Sequence, residues 1–352
     1  METQDFSRHL SAMMAWHFSP NTGSPFWLQR RSTLPFDPLT DIRQLSDLAM
    51  FPDISLELRH TPVEALMPRG LVSEPLAGVF ESGGTTGAAK RVLAYESWLD
   101  ELVSWRLQNF VKQDSKHPLN TLAIVPTGPH IVGAINQRRA RRMGGLCFSV
   151  DMDPRWVKKA LQNGDHDGMR RYADHLLEQC LPILQSQSIA YLVATPPLLE
   201  AIAARPELVE NLNSSLLQIT WGGTHMSNDT YAYLKDEVFP AVPISASYGS
   251  TMILSDTRAR AGELHQGGVI FDSFAPYALL QVVEGENRQP VAYGQRGQVL
   301  MHHVSRYAFF PNVLERDTAV RLPAEPGSAG DAVSEVRPLA QVANQTVIEG
   351  VY

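Results

Sequence analysis

The sequence predicts an α/β chain: doubly wound βαβ subdomains followed by a small distorted β-barrel. Three observations carry that prediction. From Leu76 onward, short apolar runs at residues 77–80, 122–125, 146–150, 190–194, 216–221 and 244–247 alternate with helical stretches. Strand and helix in alternation point to a doubly wound sheet. After Gly249 the helical periodicity stops, and short runs at 269–271, 278–283, 298–303 and 312–322 are separated by Gly, Pro and Asn turns, the pattern of an antiparallel, barrel-like section. Finally, 352 residues with 44% hydrophobic and 19% charged side chains can fill a large core, or two or three subdomains packed as one body.

Taken in order, residues 1–75 read as a helical lead-in with connecting loops. Thr61-Pro62-Val63-Glu64 has the form of a helix start, with Thr as N-cap, Pro at the first helical position and Glu three residues after the cap. Residues 76–250 hold the α/β subdomains. A helix is predicted over 97–112, where Leu99, Val103, Leu107 and Phe110 share one face. The basic cluster Arg138, Arg139, Arg141 and Arg142 stands at a helix end before Gly144-Gly145, where cations complement the helix dipole. Thr195-Pro196 and Ser227 mark two more helix starts. Residues 251–322 form the barrel-like section, and 323–331 read as a loop.

Composition excludes several functions. A formal net charge of -7 carries no basic excess, so neither nucleic acid nor an anionic membrane is an expected partner. No run of 18 apolar residues exists to span a bilayer. The first 20 residues include Glu2 and Asp5 and no long apolar stretch, so no signal peptide is expected. The two cysteines, Cys147 and Cys180, read as reduced core residues of a cytoplasmic protein. His302 and His303 are adjacent and would point to opposite faces of a strand, and His166 and His175 lack ligand partners at helical spacing, so no metal site is expected from protein side chains.

The segment from Glu81 to Lys90 is the most informative. Gly83, Gly84 and Gly87 allow a backbone that turns successive N–H groups toward an anion. Ser82, Thr85 and Thr86 add hydroxyl donors and Lys90 adds a charge, and each hydrogen bond to a charged partner is worth about 1.5–3 kcal/mol. It is not a P-loop, because Gly87 is followed by Ala88-Ala89-Lys90 rather than by Lys-Ser/Thr.

This loop resembles the signature of the superfamily of acyl-CoA synthetases, peptide-synthetase adenylation domains and luciferases, with Ala89 in place of the usual proline. Later segments follow in that family's order. Pro126-Thr-Gly-Pro-His130-Ile-Val-Gly133 is similar to the motif that walls the acyl pocket. Trp221-Gly222-Gly223-Thr224 resembles the Gly-Gly-Glu turn over adenine, and Ser247-Tyr248-Gly249-Ser250-Thr251 the Tyr-Gly-x-Thr-Glu motif. Tyr293 to Gly297 followed by Gln298 looks like the Gly-x-x-Gly-Glu strand start. Glu315-Arg316-Asp317-Thr318 is similar to the segment whose Asp binds both ribose hydroxyls. The resemblance covers about residues 76–322. Within the superfamily it is closest to phenylacetate-CoA ligase relatives and, more narrowly, to adenylating proteins of griseoluteic-acid-type phenazine antibiotic biosynthesis.

The resemblance implies the fold of the large N-terminal domain, ATP or AMP as cofactor, and activation of an aromatic carboxylic acid to an acyl-adenylate. It implies Thr85, Lys90 and Thr251 as catalytic residues. Nucleotide contacts would come from Ser82, Gly83, Gly84, Thr85, Thr86, Gly87, Lys90, Gly222, Gly223, Thr224, Ser247, Tyr248, Gly249, Thr251 and Asp317. His130, Gly133, Trp221 and Ser247 would line the acid. A downstream reductase or acyltransferase would take the activated acyl group.

Three departures stand out. The family's magnesium-binding Glu is Met252, so the ion would be carried by ATP itself, and Thr224 replaces the Glu of the Gly-Gly-Glu turn. Residues 323–352 resemble only a remnant of the hinge that leads to the family's C-terminal domain, and no lysine follows Lys235, so a slow ligase that forms no thioester is expected. Two alternatives stay open: a degenerate protein that binds an adenine nucleotide or the acid without turnover, and an unrelated α/β nucleotide-binding protein. Taken singly, Tyr248 also reads as a core aromatic at a strand end, Asp317 as a surface residue of an edge strand, and His130 as a helix-entry residue.

Overall fold

The computed structural model describes residues 4–82, 88–109, 118–285, 287–339, 341–342 and 345–346. The chain divides into two compact units: Met1–Leu102 with Gly249–Val342, and Val103–Tyr248 with Ala343–Tyr352.

In the first unit, α1 (Gln4–His17) buries Phe6, Leu10, Met14 and His17, a stripe at helical spacing. Helix α2 (Pro25–Arg30) starts at Ser24, whose hydroxyl accepts from the Trp27 amide. Trp27, Phe18, Phe51 and Phe309 then pack ring against ring, with Trp27 Nε1–H donating to the Phe309 carbonyl at 2.9 Å. The helix expected from Thr61 is instead a single 3-10 turn, Val63–Leu66. The Thr61 hydroxyl donates back to the Glu57 carbonyl at 3.0 Å rather than capping forward, and Pro68 disfavours helical geometry at Met67.

Strands β1 (Leu76–Ser82) and β2 (Lys90–Tyr95) form an antiparallel hairpin in which Ser82 faces Lys90. Helix α3 (Glu96–Arg106) follows, shorter than the sequence pattern suggests, and ends in the 3-10 turn Leu107–Asn109.

The second unit runs β3 (Thr121–Val125), α4 (Ile131–Arg142), β4 (Cys147–Asp151), α5 (Pro154–Gln162), α6 (His166–Ser186), β5 (Tyr191–Ala194), α7 (Pro196–Ala203), α8 (Pro206–Ser215), β6 (Gln218–Gly222), α9 (Asn228–Tyr233) and β7 (Ile244–Ser247). Its five strands form a parallel sheet in the order β4-β3-β5-β6-β7. Every residue of β3 and β5 is buried, as expected for strands covered on both faces. The strand order reverses between β3 and β5, and open α/β sheets bind ligands outside the carboxyl ends of strands at such a switch point.

The chain then returns to the first unit. A tight pair, β8 (Gly249–Ser250) and β9 (Ser255–Asp256), flanks the 3-10 turn Thr251–Ile253. Strands β10 (Arg258–His265), β11 (Gly268–Asp272), β12 (Ala278–Val283), β13 (Arg296–Val304), β14 (Phe309–Pro323) and β15 (Asp331–Pro338) form an antiparallel sheet ordered β10-β11-β15-β14-β13-β12. Residues 331–338, which the sequence reading groups with the hinge-like end, thus lie inside this sheet. Their run opens on a buried carboxylate and does not alternate: Asp331, Ala332, Val333 and Ser334 are all buried. Asp331 is satisfied there by Arg321 Nε–H at 2.9 Å and the Val282 amide at 3.0 Å.

His302 and His303 sit fully buried in β13 on opposite faces. His302 accepts from the Asn312 amide and donates to Gln281 Oε1. His303 donates from Nδ1 to the Ile253 carbonyl and accepts from the Ser305 hydroxyl. Burial pushes both imidazoles down to about 3, and that of His17 down to about 4. Among the described residues, no helix is long and apolar enough to cross a membrane and no cluster of three or more His, Cys, Asp or Glu residues is placed to hold a metal ion.

Candidate functional site

In the second unit the candidate residues gather at the carboxyl edge of the parallel sheet. The loop after β3 is tied to the end of β4 by the Thr127 amide, which donates to Asp151 Oδ1 at 2.7 Å. His130 precedes α4 with extended backbone, φ -118 and ψ 124, and its side chain makes no capping bond. Gly133 has a packing reason of its own. A Cβ there would lie 2.8 Å from Thr127 Cα and 3.0 Å from the Pro126 oxygen, so only glycine lets the first turn of α4 rest on the loop.

Strand β6 carries buried Trp221 and ends at Gly222, which faces Ser247 across the β6–β7 ladder. A Cβ at Gly222 would stand 2.8 Å from the Ser247 carbonyl oxygen. Gly223 then turns with φ +86, a conformation that favours glycine. The Thr224 hydroxyl beyond it is buried and finds no hydrogen-bond partner among the described residues. An orphaned buried hydroxyl costs about 1–3 kcal/mol, so it marks a place where a ligand's polar group would restore a bond. Half-buried Tyr248 follows β7 directly. Register therefore places Trp221, Gly222, Gly223, Thr224, Ser247 and Tyr248 together. His130 and Gly133 follow β3, two positions from β6 and three from β7, about 10 and 14 Å at normal strand spacing.

In the first unit three segments converge. The first is the base of the β1–β2 hairpin, where Ser82 faces Lys90. Gly83, Gly84, Thr85, Thr86 and Gly87 lie outside the described residues. Burial lowers the proton affinity of Lys90, while Glu315 and Asp53 oppose that shift. The second segment is the turn Thr251–Ile253, which packs against β1, β2, β13 and β14. Ser250 opens it: its hydroxyl accepts from the Met252 amide and donates to Glu315 Oε1 at 2.6 Å. Leu254 closes it in left-handed geometry with φ 52, and its carbonyl accepts from Trp98 Nε1–H at 2.7 Å. His303 holds the Ile253 carbonyl from below at 2.5 Å. Gly249 is required by the same fold, since a Cβ would lie 2.5 Å from Asp256 Cα. Met252 is only 1% exposed, so its thioether belongs to the core.

The third segment is a bulge. Leu300 faces Leu314 and Gln298 faces Thr318, so β14 spends four residues where β13 spends two. Residues 315–317 fill the excess, and 314–318 are all half-buried instead of alternating. Gln298 Nε2–H donates to the Glu315 carbonyl at 2.6 Å, and the Leu339 amide donates to that of Arg316 at 2.8 Å. Bulges re-aim side chains and recur beside active sites. This one displays Asp317 together with Glu315.

The structure thus brings Lys90, Thr251 and the Asp317 bulge together in the first unit, and residues 221–224 with Ser247 and Tyr248 in the second. The sequence reading did not assign roles to Asp151, Ser250 or Glu315. Each acts through a partner more than 20 residues away, which motif spacing cannot show; Glu315 lay inside a quoted motif but only as a neighbour of Asp317.

No family model and no curated protein matches the sequence. Solved structures do match the fold. A 2-hydroxyisobutyryl-CoA ligase in complex with 2-HIB-AMP and CoA aligns with a TM-score of 0.66 at 12% identity, over 99% of this chain and 70% of that one. ATP-bound MatB from Rhodopseudomonas palustris aligns at 0.50 and 15% identity, over 74% and 47%. McyG A-PCP complexed with phenylalanyl-adenylate aligns at 0.50 and 14%, over 74% and 46%. The fold is that of the large N-terminal domain of adenylate-forming enzymes. This chain spans about 70% of the first neighbour's length and under half of that of the other two. At these identities the likeness is one of fold.

Proposed function

We propose that the chain belongs to the adenylate-forming superfamily and activates an aromatic carboxylic acid, phenazine- or phenylacetate-like, to its acyl-adenylate, in the setting of griseoluteic-acid-type antibiotic biosynthesis. The observation that carries this reading is the convergence of the Lys90 hairpin base, the Thr251 turn and the Asp317 bulge in a fold whose solved neighbours hold ATP or acyl-AMP. In the reaction an acid oxygen attacks the α-phosphorus of ATP, the bond to the bridging oxygen breaks, and pyrophosphate leaves. Both reactants are anionic, so the protein must position them and offset phosphate charge.

The second unit is assigned the base and the acid. Adenine stacks on Tyr248 and meets the turn at 222–224, where the Thr224 hydroxyl gains its missing partner. The acid lies by His130, Gly133, Trp221 and Ser247. The first unit is assigned the rest: ribose hydroxyls donate to Asp317, while Ser82, Lys90, Thr251 and the glycine-rich loop, Thr85 included, meet the phosphates. Magnesium would neutralise phosphate charge when bound with ATP. Buried Met252 does not fit as its ligand, because Mg²⁺ takes hard oxygen donors.

With buried Met252 at the turn in place of a hard oxygen donor, the chain is proposed to adenylate slowly and form no thioester, passing the acyl group to a reductase or acyltransferase. Met252 also favours a second reading, a binder that retains nucleotide and acid without turnover. Pyrophosphate–ATP exchange with a panel of carboxylic acids separates the two: acid-dependent exchange supports the enzyme, and binding without exchange supports the binder.

A further inference from the structure

We infer that Glu315 supplies the protein oxygen ligand for the divalent cation that accompanies a nucleotide triphosphate in the first unit. The inference rests on the reading of the chain as ATP-binding. Magnesium in such sites uses one or two carboxylates beside the phosphates and keeps waters for the rest. Three of the carboxylates near Lys90 and the Thr251 turn differ in their partners. Glu81 is paired with Arg91 at 3.0 Å. Asp53 is held by Arg288 at 3.2 Å and by the Ser55 amide at 2.9 Å. Glu315 differs. Its Oε1 takes one hydrogen bond, from the Ser250 hydroxyl at 2.6 Å, and its Oε2 takes none among the described residues.

No described Lys or Arg pairs with Glu315 at contact distance, although it is half-buried. A half-buried carboxylate without a contact cation is stabilised by any cation that arrives. Three further features aim it at the phosphates. It occupies the bulge of β14, its partner Ser250 directly precedes Thr251, and its charge is the largest one opposing the shift of Lys90. The sequence position that would have offered a carboxylate, Met252, is turned into the core. The oxygen donor has therefore moved from the turn to the strand packed against it.

The test is calorimetric titration of ATP into the intact chain with EDTA and with excess Mg²⁺ at equal ionic strength, on wild type, Glu315→Gln and Ser250→Ala. Bound Mn²⁺–ATP is followed by electron paramagnetic resonance. Wild type should bind ATP more tightly with metal. Glu315→Gln should keep metal-free ATP affinity within about twofold and lose most of the metal-linked gain, on the order of tenfold, with an altered Mn²⁺ spectrum. Ser250→Ala keeps the carboxylate and should retain a measurable gain. A Glu315→Gln protein with the full metal-linked gain overturns the inference. So does one that loses metal-free affinity equally, because Glu315 would then only hold the fold. Wild type that binds ATP neither with nor without metal overturns the ATP reading itself.

Discussion

Mild acid should destabilise the first unit steeply, and the slope can be worked from its histidines. His17, His302 and His303 are fully buried, with imidazoles pushed from 6.5 to about 4, 3 and 3 by loss of hydration. Each is used neutral: His302 and His303 each have one ring nitrogen accepting and one donating. Because the folded pKa lies below the unfolded one, the unfolded chain takes up protons first as pH falls. The stability is complete above about 6.5 and declines as pH falls, to about 4 for His17 and to about 3 for His302 and His303.

Three groups at 1.36 kcal/mol per pH unit approach a slope of about 4 kcal/mol per unit, or roughly 5 kcal/mol between pH 6.5 and 5, because the unfolded imidazoles are half protonated at 6.5. That is comparable with the whole stability of a typical domain, about 5–15 kcal/mol. His9 is lowered for the same reason and steepens the slope. Asp331 is raised by burial and acts in the opposite sense. The assay is urea unfolding at half-unit intervals from pH 7.5 to 5, followed by near-ultraviolet circular dichroism. The aromatic cluster around Trp27 reports on this unit. Replacing His302 by Gln should lower stability at pH 7.5 and cut the slope by about one proton. A wild-type slope below one proton, or one unchanged in His302→Gln, would refute the burial argument.

Two further outcomes probe residues proposed to face the ligand. Asp317→Ala should weaken AMP and ATP binding about tenfold or more by calorimetry, the loss of two hydrogen bonds to a charged acceptor, and unchanged affinity would remove Asp317 from the ribose. Thr224→Val should leave ligand-free stability unchanged or raise it by about 1 kcal/mol, since it removes an orphaned buried hydroxyl, while lowering adenine-nucleotide affinity; a fall in stability with no change in affinity would return Thr224 to a purely structural role.

The parallel sheet was legible because its strands are buried on both faces and read as continuous apolar runs, as at Thr121–Val125 and Tyr191–Ala194. Strand β15 was not, because its run opens on Asp331, a charge tolerated inside only through the distant Arg321 and Val282. The start at Thr61 failed through competition: the hydroxyl found a carbonyl behind it. Glycine identities in the motifs proved ambiguous in kind. Gly133, Gly222 and Gly249 are each demanded by a backbone approach that needs no ligand. Local sequence singled out Asp317 and Thr251, but not the bulge of β14 or the Ser250–Glu315 bond, because those depend on register and packing across 65 residues.

The central claim, that this chain makes an acyl-adenylate, is tested most directly by acid-dependent exchange of labelled pyrophosphate into ATP, with the product sought by mass spectrometry. Aromatic acids of one to three rings are compared with short aliphatic acids, with magnesium and coenzyme A present. The expected result is exchange that needs an aromatic acid, is lost in Lys90→Ala, and yields acyl-AMP without thioester. Absence of exchange with every acid, in a protein shown to bind ATP, would contradict it.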